Sequence, residues 1–214
     1  MIKNSYFKLS GYVGLFGPIQ FIVLSTVAMF YYGGGTAWNH DALGYTFWQN
    51  FLSDLGRTVS YSKVENTISS PLFNLSLGLF GLSIVMLHTS SLRLFRSKLG
   101  YPISIMGMIS GVGMVVIALA PDDLSSGLHM LGVWIWALTL LFASVLIVIH
   151  ELRSNDGNKH FIILSILMAF AIAFHISQGV FDIWGPIVAT TQKIVVYLNC
   201  GWYLCLSRKL LIQF

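Results

Sequence analysis

The stretch Phe51-Leu52-Ser53-Asp54-Leu55-Gly56-Arg57 places an acid and a base three residues apart in a polar connection between apolar runs. Arg57 is the nearest partner for the Asp54 charge, and Lys193 is a distant one. Elsewhere Asn74, His129, His175, Gln178, Asp182, Gln192 and Lys193 stand within or at the ends of apolar runs, and Asp122-Asp123 occupies a short turn. Imidazoles and carboxylates suit proton transfer and zinc binding. His129 and His175 with Asp54 form a candidate acid–base set; His129, His175 and Asp122 form a candidate zinc set. The negative findings limit both. There is no His-x-x-x-His or His-Glu-x-x-His spacing, no Gly-x-Ser-x-Gly elbow around Ser53, and no phosphate-cradling or dinucleotide-binding loop.

Each of these residues also has a purely structural reading. His129 suits a membrane interface, and His175 suits a hydrogen bond between helices. Asp182 suits a solvated turn, Asp122-Asp123 a polar connection, and Lys193 can snorkel toward water. What favours a site is their common location, and that depends on the elements that carry them.

Those elements are membrane helices. The chain has 214 residues, of which 56% are hydrophobic and only 9% charged, and its mean hydropathy is +0.76. Soluble domains carry about a quarter charged residues. Apolar runs near the bilayer-spanning length of about 20 residues recur, and they place spans at roughly 9–32, 71–91, 100–120, 127–150, 160–181 and 187–207. The expected fold is all-α: a six-transmembrane-helix bundle forming one polytopic membrane domain over residues 1–214. Nine of the twelve Lys and Arg residues fall on one side of this topology: Lys3, Lys8, Arg93, Arg96, Lys98, Arg153, Lys159, Arg208 and Lys209. The positive-inside rule then puts both termini in the cytoplasm, as expected for a multi-pass protein of a plasma membrane. Six of the eight acids lie on the other side, so the net charge of +4 is explained without a nucleic-acid partner. Cys200 and Cys205 face different directions on the last helix and read as packing residues.

Within the outer connection Leu43, Phe47, Trp48, Phe51, Leu52 and Leu55 follow helical spacing. The pattern predicts an amphipathic helix over 43–55 lying on the membrane or capping the bundle, N-capped by Asp41 and ended by Gly56 in the left-handed conformation. Asp54 would then lie in the last turn, on the edge of the buried arc, where the helix dipole disfavours an anion. Within the bundle, Gly107 and Gly111 predict close helix packing. Gly17-Pro18 predicts a kink in the first helix.

The segments Phe51-Leu52-Ser53-Asp54-Leu55-Gly56, Ser70-Pro71-Leu72-Phe73-Asn74, Pro121-Asp122, Gly127-Leu128-His129 and Gln192-Lys193 with a later Trp202 resemble the prokaryotic membrane family called domain of unknown function 998. The likeness extends over nearly the whole chain, although the family more often has Arg at the Lys193 position. It implies membrane location and a six-span fold, distantly similar to Frag1/DRAM/Sfk1-type proteins, some of which are linked to lipid remodelling. Alkaline ceramidase-type hydrolases are a fainter likeness; their seven spans and three metal-binding His are not reproduced.

On this topology Asn74, His129, His175, Gln178, Asp182, Gln192 and Lys193 share the outer half of the membrane, with Asp54, Arg57 and Asp122 just above. Polar and ionisable groups at such depth face the bundle interior. The expectation is an outward-facing polar pocket that binds, senses or organises lipid or another amphiphile. Two alternatives are a membrane hydrolase or transferase using the His and Asp residues, with or without zinc, and, more weakly, an ion-coupled transporter using Asp54, Asp182 and Lys193.

Overall fold

The computed structural model describes residues 2–155 and 157–213, with side chains from residue 5 onward at the N-terminal end. The side chain of Lys3, one of the nine basic residues on the expected cytoplasmic side, lies outside the described residues. Every expected span is a helix: α1 (Ile2–Phe30), α2 (Ser69–Leu94), α3 (Gly100–Leu119), α4 (Asp122–Arg153), α5 (Lys159–Val180) and α6 (Pro186–Gln213). The described residues contain no strand, only an isolated bridge between Val59 and Glu65. Five of the helices, α1 to α5, are long and apolar enough to cross a bilayer, the pattern of a multi-pass membrane protein. The 28-residue α6 is less apolar because it carries Thr191, Lys193, Asn199 and Ser207, all buried inside the bundle.

Each helix packs against the next in the chain, and α6 returns to α1, so the six close a ring in sequence order. Neighbours run antiparallel. Tyr6 meets Thr89 and Ser10 meets Met86 across α1 and α2, while Gly11 faces Leu211 and Gly14 faces Ser207 across α1 and α6. The interior is small and hydroxylated: Ser10, Ser25, Ser76, Ser90, Ser104, Ser110, Ser144, Ser165 and Ser207 are fully buried. Many of these hydroxyls donate to a carbonyl one turn back, as Ser76 does to Phe73 at 2.8 Å and Ser165 to Phe161 at 2.8 Å. Large apolar side chains such as Phe16, Ile19, Leu75, Ile105, Phe142 and Phe170 face outward instead. With no hydrophobic drive between helices in lipid, close packing through small residues and internal hydrogen bonds must hold such a bundle. The α3 glycines act in this way: a Cβ on Gly107 would strike the buried His88 ring, and one on Gly111 would meet the Gly81 carbonyl oxygen at 2.6 Å. Helix α1 continues through Pro18, where the Gln20 amide donates to Gly17 O at 2.9 Å and to Ser76 O at 2.8 Å. Cys200 is buried and Cys205 exposed, both free.

The expected helix over 43–55 does not form. Residues 31–68 make an irregular strap over one end of the ring, with a single short 3-10 turn at Leu52–Gly56. Asp41 is exposed and caps nothing, and Gly56 is absent from the positive-φ glycines, which are Gly34, Gly35, Gly44 and Gly185. Local side-chain bonds and long-range bonds together outcompete the helix. Asn50 Oδ1 accepts the Thr46 N–H at 2.8 Å, and its backbone carbonyl is taken by Lys193. The apolar arc consequently splits: Leu52 and Leu55 are buried, whereas Leu43 (96% exposed) and Trp48 (64%) face away from the core.

Candidate functional site

The turn Leu52–Gly56 is held at both ends by helices. Asp54, its third residue, accepts the Phe51 N–H at 2.9 Å, and its own N–H donates to Phe51 O at 3.3 Å. Gln192 Oε1 from α6 accepts the Leu52 N–H at 2.7 Å. At the other end Ser69, Ser70 and Asn74 of α2 donate to the carbonyls of Leu55 and Gly56 at 2.9–3.1 Å. Gly56 is required for this close approach: an added Cβ would lie 2.5 Å from Asn74 Oδ1. Asp54 thus stands near the N-terminal end of a short turn, where free N–H groups welcome a carboxylate, and not at the hostile end of a helix.

Asp54 is buried as its place beside the apolar arc implied, but Arg57 is not its partner. Its carboxylate also accepts from Asn50 Nδ2 at 3.0 Å. Asn50 in turn offers its backbone carbonyl to Lys193 Nζ, which donates as well to Ala189 O at 3.1 Å. Lys193 does not snorkel; it is 2% exposed, with its ammonium 5.4 Å from the Phe47 ring centroid. Asn50 therefore bridges a buried anion and a buried cation. Burial pushes the Asp54 carboxyl up to about 6, against the pull of the Asn50 and Phe51 hydrogen bonds and of the Arg57 and Lys193 charges. Burial, and the Asp54 charge after it, also hold the Tyr32 and Tyr45 phenols protonated well above their ordinary range.

Arg57 instead pairs with Asp122 at 2.9 Å and stacks on Tyr61 at 4.2 Å from the ring centroid. Asp123 accepts from Thr58 N at 3.0 Å, Thr58 Oγ1 at 2.6 Å and Val59 N at 2.9 Å. The pair of acids is a clasp between the strap and the first turn of α4, which Ser125 (φ −152°, ψ 71°) sets apart from the rest of that helix.

Beneath the turn lies a cavity of about 60 Å3 at the centre of the ring. Its lining draws on all six helices and the strap. Most of it is apolar, and the polar side chains are Ser53, His129, His175, Gln192 and Trp136. Both rings are oriented through Nδ1. His129 Nδ1 lies 2.9 Å from Ala120 O, and a carbonyl only accepts, so Nδ1 carries the proton. His175 Nδ1 lies 2.9 Å from Thr191 Oγ1. That hydroxyl also faces Gln178 Oε1 at 2.5 Å and Val188 O at 3.0 Å, two acceptors competing for its one hydrogen, so the imidazole donates. In its neutral form each ring keeps Nε2 as an acceptor.

The cavity thus unites His129, His175 and Gln192. Asn74, Asp54, Arg57, Asp122 and Lys193 form the strap's anchorage above it, and Gln178 orients His175. Asp182 stands apart on an exposed turn after α5, with φ +50°. The set Asp54, Asp182 and Lys193 does not converge. The zinc set fails as well: among the described residues no three His, Cys, Asp or Glu side chains come together as ligands, and Asp122 is committed to Arg57. Neither ring hydrogen-bonds to Ser53 Oγ, which accepts from Gln192 Nε2 at 3.4 Å. Asn50, which the helical pattern puts on the polar face with Gln49 and Ser53, and Thr191 lie outside the expected site; the spacing of Asn50 four residues before Asp54 is the one signal for its role. No family model, curated protein or solved structure matches the chain.

Proposed function

We propose that the chain is a six-span protein of a plasma membrane, with both termini cytoplasmic, whose central cavity binds the polar end of an amphiphile beneath the outer strap. Kinship with the domain of unknown function 998 proteins belongs to the same proposal. The observation that carries it is the cavity itself: side chains from six helices and the strap meet around a few polar groups set in apolar walls. Concave, mainly apolar sites with few oriented polar groups are the usual form of small-ligand sites. A cavity of about 60 Å3 admits only the tip of a ligand, roughly two waters' worth of liquid volume. An amphiphile would therefore insert its head and leave its chain among the helices. The test is native mass spectrometry of the protein released from nanodiscs. A bound amphiphile in wild type, lost in His175→Ala, supports the reading; no retained amphiphile in either overturns it. Accessibility of single cysteines at residues 41–65 from the cytoplasmic side would overturn the topology.

A further inference from the structure

The polar groups of the cavity select a chemical class of ligand, an inference that rests on the binding role proposed above. Three observations bear on it. First, His129 and His175 both spend Nδ1 on neighbouring oxygens and leave only Nε2, an acceptor in the neutral ring, for any other partner. Second, Trp136, 5% exposed and part of the same wall, has an indole Nε1–H with no acceptor among the described residues. A buried donor of this kind is normally satisfied. Third, no ammonium or guanidinium and no carboxylate lines the cavity. Lys193 donates to Asn50 and Ala189, and Arg57 is held by Asp122 and Tyr61. Asp54 is turned to Asn50 and Phe51.

An ionised phosphate or carboxylate would find the neutral donors of Trp136, Ser53 and Gln192 but no lysine or arginine, and would face the Nε2 lone pairs of two neutral imidazoles, so its desolvation would be poorly compensated. An ammonium would be buried without an anion and could not accept from Trp136. An ether or ester oxygen accepts but cannot donate to either imidazole. A hydroxyl does both: it donates to one Nε2 and accepts from an N–H. A terminal hydroxymethyl group also suits a cavity of about 60 Å3. We propose that the cavity takes an uncharged amphiphile through a free hydroxyl group, and that phosphate- or carboxylate-headed lipids are rejected.

The experiment uses the full chain in nanodiscs and displacement of a pyrene-labelled long-chain alcohol. Four competitors share one oleyl chain: oleyl alcohol, its methyl ether, oleic acid and oleyl phosphate. Oleyl alcohol is expected to displace the probe, with the other three weaker by about tenfold or more, the effect of one lost buried hydrogen bond. In one of His175→Phe and His129→Phe, each checked for an unchanged melting profile, the alcohol should fall to the level of its ether, and a preference for the alcohol kept in both overturns donation to an imidazole. Equal binding of alcohol and ether overturns the hydroxyl requirement and leaves amphiphile binding intact. Preference for acid or phosphate overturns the exclusion of charge. If no competitor displaces the probe, and the probe itself does not bind, the binding role falls too.

Discussion

Protonation of Asp54 should tighten the strap. A carboxyl whose value rises from 3.8 to about 6 on burial is more easily protonated folded than unfolded. Its favourable contribution is complete below the unfolded value and is lost as pH climbs through about 6. The groups facing it are Asn50, the Phe51 N–H, Arg57, Lys193, Tyr32, Tyr45 and Tyr61; the tyrosines are all raised further above neutrality, so none of them titrates in this window. Lowering the pH from about 7 to about 5 should therefore add about 1.4 kcal/mol to the free energy of opening the strap, a tenfold drop in its open fraction. The assay is hydrogen exchange, read by mass spectrometry on peptides covering 45–60 and corrected for the intrinsic pH dependence of exchange. Asp54→Asn keeps an acceptor for the Phe51 N–H but cannot titrate, so its corrected protection should be flat over the same range. Wild-type protection that falls on acidification, or a slope that survives in Asp54→Asn, would refute the reasoning.

Two further substitutions probe the strap's anchorage. Gly56→Ala forces a methyl group to 2.5 Å from Asn74 Oδ1 and 2.9 Å from the Phe73 ring, and should cost about 1–3 kcal/mol by overpacking, seen as a lower melting temperature in detergent. Asp123→Ala removes the acceptor of three hydrogen bonds to Thr58 and Val59, whereas Arg57→Ala breaks one partly exposed ion pair; the first should cost about 1–3 kcal/mol and the second about 1 or less, and equal melting shifts would contradict that ranking.

The helices were legible because apolar run length is a direct physical requirement, and Gly107 and Gly111 announced their close contacts by size alone. The burial of Asp54 followed from its position beside the apolar arc. The strap's conformation did not, because helical periodicity in 43–55 records which residues are apolar and not whether backbone groups are claimed from elsewhere. Asn50 is the clearest example. Its carbonyl is taken by Lys193, 143 positions away, and no local pattern encodes that bond. The partner of Arg57 is hidden for the same reason: proximity in sequence favours Asp54, whereas the fold brings Asp122 from the start of α4. His129 and His175 line one cavity because their depth on two helices is set by residue counting, whereas Asp182 stands apart because α5 ends just before it.

The ring closed by α1 and α6 has a consequence for how the molecule is made. The strap leaves the ribosome early, yet Gln192 and Lys193, which fix its turn and its Asn50 carbonyl, arrive with the last helix of the ring. Until then Asp54 lacks the distant cation, the cavity lacks one wall, and the face of α1 that Ser207 and Leu211 will cover stays open. Such long-range closure is slow and leaves an exposed intermediate. Biogenesis, more than the finished bundle, is then the stage at which this chain is most vulnerable to quality control, and substitutions along the seam between α1 and α6 should reduce yield before they reduce the stability of the molecules that mature.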